Sequence, residues 1–213
     1  TCALPISNFN PANVQEQVQQ RIDNQQKVIE GNIEMAIQRL RERLHPDIER
    51  LIRERYLPNA IAYVEETIAE YELIKDPINL EKKGFARLEK FYRDVGVEDI
   101  YIVVVSQLPD LNAKNLGITF EHQALGIDPS NFTLSNTQAV TLDRLIFIKE
   151  EFLEDESILF HELVHVVQYD ILGIEEFLLN YLIFSSQNGY WDNPFEIMAR
   201  DLVDEYETTP PLY

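Results

Sequence analysis

The chain has 213 residues, 45% of them apolar and 10% aromatic, with 7 glycines and 10 prolines; this composition suits a folded soluble protein and excludes disordered or collagen-like character. Against 18 Lys and Arg stand 37 Asp and Glu, a formal net charge of −19, and from residue 150 onward 15 acidic residues accompany one base, Arg200, so nucleic acid and anionic membrane are poor partners. One cysteine, Cys2, excludes an internal disulfide.

Apolar residues recur at mostly three- and four-residue steps from Val14 to Leu44, which predicts an amphipathic helix over 11–44. His45-Pro46-Asp47 interrupts it, since the residue before a proline avoids helical geometry. The period resumes over 48–56, Asn59 after Pro58 offers a cap for a third helix to about 74, and 80–95 reads as a fourth that ends near Gly96. The first 95 residues are therefore expected to be helical. At 100–105 the β-branched and aromatic run IYIVVV predicts a buried strand, followed by turn residues over 109–115. Short strands are expected at 117–120, 123–127, 139–142 and 145–148, with Asp128-Pro129-Ser130-Asn131 as a turn among them. After Asp155 the helical period returns and persists to about Tyr206, with breaks near Gly173 and over 188–192.

The greasiest stretch, 171–184, is interrupted by Glu175 and Glu176, so no membrane span is expected. The chain begins at Thr1 rather than Met, which leaves open the removal of a leader or larger precursor. Its compartment stays open too, a secreted or effector-like setting included.

The first C-terminal helix contains Phe160-His161-Glu162-Leu163-Val164-His165-Val166, an HExxH pattern. Side chains four apart on a helix share a face, so His161 and His165 can direct imidazole nitrogens to one ion. Glu162 lies about 100° around the helix and can meet a water held by that ion. Such an ion lowers the water's pKa to about 7 while a carboxylate accepts and returns the proton. Ile158, Leu159, Phe160, Leu163, Val164, Val166 and Val167 make the helix apolar around most of its circumference, which sets the polar trio at core depth, where it needs partners. Two core histidines satisfied by local hydrogen bonds, with Glu162 on the surface, are the bland alternative.

A catalytic zinc usually takes three protein ligands. Gln168 and Ile171 stand where an HExxHxxGxxH extension requires Gly and His, which excludes the three-histidine class, and His45 and His122 carry no ligand spacing. Glu175 and Glu176 follow too closely to fold back, so Glu196 in NPFEIMARD is the expected third ligand. Asn193 at N-cap, Pro194 at N1 and Glu196 at N3 also spell a capping box, a competing reading of the same residue. Arg200 or Asp201 can support the ligands or merely carry helix-surface charge. Tyr190 is the expected oxyanion donor, with Tyr169, Tyr181 and His122 as alternatives and aromatic packing as the plain reading of each tyrosine. Gln168 and Tyr169, one turn beyond His165, can orient the site or only pack. Cys2 as a thiolate on the open metal position is a remote reading of a terminal residue.

HELVHVVQY, a further helix, then GYWDNPFE and MAR resemble the zincin-type metallopeptidase domains of bacteria, glutamate-zincin in style; the resemblance covers about 155–205. It implies His161, His165 and Glu196 as zinc ligands and Glu162 as general base.

Together these features predict an α+β fold: a helical N-terminal region (1–97), then a zincin-like domain (98–213) with a small mixed or antiparallel sheet, the HExxH helix and C-terminal helices. The expected activity is zinc-dependent hydrolysis of peptide bonds, with one zinc per chain, a peptide or protein as substrate and a partner for the N-terminal helices. The rival expectation is a non-catalytic, zinc-stabilised interaction domain or effector or toxin module. In a third, the HExxH is accidental and no metal binds.

Overall fold

The computed structural model describes residues 11–74, 78–80, 84–119, 123, 127–132 and 137–208. Cys2, His122, most of the expected strand at 123–127 and the end of that at 117–120 lie outside them.

Helix α1 spans Pro11–Arg41 and buries Ile29, Ile33 and Leu40 along one face. His45 caps α2 (Pro46–Leu51) by accepting the Asp47 N–H at its Nδ1, 3.3 Å away, with Pro46 at the first helical position. The break expected at Pro58 is absent. α2 passes through a π-helical turn, Ile52–Tyr56, directly into α3 (Leu57–Ile74). The Leu57 N–H reaches back five residues to the Ile52 carbonyl, and this widened turn admits a proline that a regular helix would reject. Asn59 is accordingly no cap; its side-chain amide donates to the Leu116 carbonyl, 3.0 Å away.

Residues 78 and 79 correct the expectation of an all-helical first half: β1 (Ile78–Asn79) pairs antiparallel with β2 (Tyr101–Val105). α4 is correspondingly shorter than expected, Ala86–Val95. Gly96 ends it at φ +70°, and a Cβ there would stand 2.9 Å from Ile22 Cγ2, so α1 crosses at a distance only glycine allows. Gln26 of α1 also donates to the Val95 carbonyl at 2.8 Å.

Within the expected strand at 117–120, residues 117–119 are not extended pairing partners: Gly117, at φ +74°, terminates a short helix, α5 (Ala113–Leu116), capped by Asn112. The turn expected at 128–131 is a 3-10 turn, Pro129–Phe132. The strands expected at 139–142 and 145–148 are present as β3 (Ala139–Leu142) and β4 (Leu145–Lys149), which pair as a hairpin with Asp143 at φ +55° in its turn. β4 runs parallel to β2, giving a mixed sheet ordered β1-β2-β4-β3. Leu145, Ile146, Phe147 and Ile148 are all buried, as a central strand covered on both faces requires.

α6 (Glu156–Asn188) starts at Asp155, whose carboxylate accepts the Ser157 and Ile158 N–H groups. Its helical backbone is interrupted at Gly173 (φ +74°, ψ +163°), where a break was expected, and it stops before Gly189. α7 (Pro194–Thr208) follows. The fold is thus α+β, with a small mixed sheet among helices. The boundary expected at residue 97 falls inside one continuous hydrophobic core, which joins Ile33 of α1 and Val64 of α3 to Ile146 of β4 and Leu163 of α6. Among the described residues, no helix is long and apolar enough to cross a membrane.

Candidate metal centre

His161 and His165 stand one turn apart on the first half of α6, on a shared face, while Glu196 lies in the first turn of α7. What brings the two helices together is Asn193, which is fully buried. Its Oδ1 accepts the Phe195 N–H at 3.0 Å, and its Nδ2 donates to Ser185 Oγ at 3.1 Å and to the Tyr181 carbonyl at 3.3 Å. The N-cap is therefore made, but the reciprocal half of a capping box is not. The Asn193 N–H goes to the Tyr190 carbonyl, and the Glu196 carboxylate turns toward the histidines.

The three donor groups converge. His161 Nε2 is 3.2 Å from Glu196 Oε2 and 3.2 Å from His165 Nε2, and His165 Nε2 is 3.4 Å from Glu196 Oε1. A tetrahedral ion with ligand bonds of about 2.0–2.2 Å sets its donor atoms about 3.3–3.6 Å apart; the two imidazole nitrogens, and each of them with its nearer Glu196 oxygen, stand close to that spacing, and one ligand atom from each residue lies within 4.8 Å of the others. His165 Nδ1 lies 2.8 Å from Gln168 Oε1, an acceptor that fixes a proton on Nδ1 and leaves Nε2 to face inward. Gln168, fully buried, also donates from Nε2 to the Phe195 carbonyl at 3.2 Å. The Tyr181 hydroxyl donates to Glu196 Oε1 at 2.8 Å. These residues can hold a metal ion: two imidazole nitrogens and a carboxylate oxygen, with His165 and Glu196 oriented from behind by Gln168 and Tyr181.

Electrostatics agree with that geometry. Burial alone would raise the Glu196 carboxyl, but His165 and His161 together hold it well below the usual carboxylate range. Burial works against a charged His165, yet Glu196, then Glu162 and Gln168, raise it from 6.5 to about 9. Both shifts favour positive charge between these groups, the place a cation would fill.

Glu162 is 5% exposed, and its Oε2 accepts a hydrogen bond of 2.7 Å from Thr141 Oγ1, which also lies 3.1 Å from the Glu162 carbonyl. Thr141 sits on β3, so the edge strand grips the HExxH helix at its acid. The sequence carried no signal for this residue beyond membership of a predicted strand. Tyr190 lines the same pocket; burial first, then the charges of Glu196 and Glu162, push its hydroxyl far above its ordinary range, so it remains a proton donor. Tyr181 lines the pocket too and stays protonated for the same first reason, burial. Tyr169 stacks on Phe177, with ring centres 3.7 Å apart, and Phe177 stacks in turn on Phe195, which makes an aromatic wall behind the ligands. Arg200 and Asp201 are not brought to the ligands. Arg200 donates to the Trp191 carbonyl and lies over its ring, bracing the connection between α6 and α7, while Asp201 is exposed.

The pocket is narrow, a cavity of about 70 Å³, and Phe132, Val140, Leu142, Phe177 and Leu182 give it a mainly apolar wall. Comparison with known proteins finds no matching family model, no similar curated protein and no similar solved structure.

Proposed function

We propose that the protein is a zinc-dependent metallopeptidase of the glutamate-zincin type, in which His161, His165 and Glu196 hold the ion and Glu162 is the general base. The observation that carries this reading is the convergence of two imidazole nitrogens and a carboxylate within reach of one ion, beside Glu162, in the wall of an apolar pocket. When bound, zinc would supply a water acidified to a pKa of about 7 and polarise the substrate carbonyl. Glu162 takes the proton of the attacking water on its carboxylate and delivers it to the leaving amine. Thr141 keeps that carboxylate aimed by its hydrogen bond to Oε2. The Tyr190 hydroxyl donates to the oxyanion that develops on the carbonyl. β3 has β4 as its strand partner among the described residues, so its other edge can align an extended peptide along the pocket that it lines.

Elemental analysis of the purified protein tests the site, and turnover of a peptide library tests the reaction. We expect one zinc per chain, lost in Glu196→Ala, and peptide hydrolysis that Glu162→Gln abolishes while its zinc content is unchanged. Hydrolysis surviving in Glu162→Gln refutes the mechanism, and a wild type that binds no zinc refutes the site.

One observation favours a second reading, a structural ion tying α6 to α7: Glu162 is buried and already hydrogen bonded. That reading expects His161→Ala to unfold the C-terminal helices in a protein that never cleaves a peptide. The peptidase reading expects His161→Ala to stay folded and lose turnover.

A further inference from the structure

Four large apolar side chains are exposed among the described residues, and three of them, Val28, Met35 and Ile197, line one groove. It is open, about 1690 Å³ with its mouth, and lies between α1 and α7, with buried Phe184 of α6 among its lining. An apolar patch gathered in this way marks an interaction surface more than a scatter of single residues does. Its two walls are opposite in charge: Arg39 and Arg43 belong to the α1 side, Asp201 and Glu205 to α7. All four are exposed, and among the described residues no ion pair joins one wall to the other.

Spacing makes the walls complementary to each other in trans. Met35, Arg39 and Arg43 follow at four-residue steps along α1 and the turn that closes it, and Ile197, Asp201 and Glu205 take the same steps along α7. Each step advances about 6 Å on one helix face. We propose that this groove is a homodimer interface, in which α1 of one protomer lies on α7 of a second copy: Met35 packs on the partner's Ile197, Arg39 meets the partner's Asp201 and Arg43 the partner's Glu205. A two-fold axis makes every such contact twice, so a surface with one basic and one acidic strip in register satisfies itself. General repulsion between two chains of net charge −19 is screened over about 8–10 Å at ordinary salt, whereas charges in contact are screened far less. Ile197 adjoins Glu196, so the interface would brace the turn that carries the third ligand candidate without requiring any particular chemistry there.

Sedimentation velocity from about 1 to about 100 µM, a range that spans weak association, tests the assignment. The wild type is expected to shift from monomer to dimer. The double variants Arg39→Glu/Arg43→Glu and Asp201→Lys/Glu205→Lys should each be monomeric throughout, with wild-type circular dichroism because all four positions are exposed. An equimolar mixture of the two should dimerise, since a mixed pair carries one native seam and one reversed seam, both complementary. A wild type that stays monomeric, a dimer that survives either double variant, or a mixture that remains monomeric would overturn the proposal.

Discussion

Gln168 and Tyr181 approach the ligand triangle from behind, one holding His165 through Nδ1 and the other holding Glu196 through Oε1. Outer partners of this sort commonly govern about 10–100-fold in metal affinity. Gln168→Ala is therefore expected to weaken zinc binding by about that factor in competition with a chromophoric chelator, while the three ligands remain. An affinity within about threefold of wild type would show that Gln168 merely packs. The same triangle carries a pH dependence. In the metal-free protein the raised His165 stabilises the fold fully below its unfolded value of 6.5, and this contribution is lost as pH rises through about 9. The depressed Glu196 contributes above its unfolded value of 4.5 and loses that contribution on acidification through its lower folded value. Their joint contribution is thus complete between about 4.5 and 6.5. Zinc must displace the His165 proton, so the rise in Tm on adding zinc to chelator-treated protein is expected to grow from pH 6.5 towards pH 9. A rise that is flat or shrinks over that range would contradict the proton-for-metal exchange.

α7 illustrates how one element serves two demands with neighbouring residues. Asn193 satisfies the helix start and ties it to α6, which frees Glu196, three residues on, for the site. Asn193→Ala removes a cap worth about 1 kcal/mol and leaves the Ser185 hydroxyl without that donor. The expected result is a Tm lowered by about 2–4 °C together with weaker zinc binding; an unchanged zinc affinity would uncouple the cap from the site. Legibility in the sequence follows the same division between local and distant causes. The strands at 139–142 and 145–148, the interruption at His45-Pro46, the cap at Asn193 and the spacing of His161 and His165 could be read because each depends on residues a few positions apart. β1 could not, because two residues become a strand only where β2 supplies the partner, and Pro58 misled because the π-helical turn that admits it leaves no compositional mark. Thr141 escaped for a related reason: its bond to Glu162 joins residues 21 apart through the packing of a strand on a helix. Glu196 could be named as a ligand candidate, but sequence alone could not choose between capping and ligation; the direction of its carboxylate favours the site.

At the scale of the whole molecule, the N-terminal helices share one core with the sheet and α6. Gln26 and the close crossing at Gly96 fasten α1 to α4, and Tyr71 of α3 meets Phe147 of β4 edge to face, with ring centres 4.8 Å apart. A fragment comprising residues 98–213 would lose β1 and α3, whose Tyr71 packs on Phe147, exposing that fully buried side chain, worth about 1.5–3 kcal/mol. It is expected to lack a cooperative thermal transition by calorimetry, even with zinc present. A sharp transition in the fragment would establish an independent C-terminal domain instead.

The ligand triangle itself spans a short length of chain, since His161 and Glu196 are 35 positions apart and joined by α6 and one brief connection. Entropy lost on closing a loop grows only with the logarithm of its length, and contacts of small sequence separation form sooner than distant ones. The Thr141 hydrogen bond to Glu162 closes a shorter loop still, 21 positions, so the strand that holds this carboxylate and the two helices that carry the ligand candidates meet through contacts close in sequence. In kinetic terms the candidate site belongs to the short-range part of the fold, so its closure is expected to be among the faster steps, with the docking of α1 on α4, bridged by Gln26 and Val95 across 69 positions, among the slower.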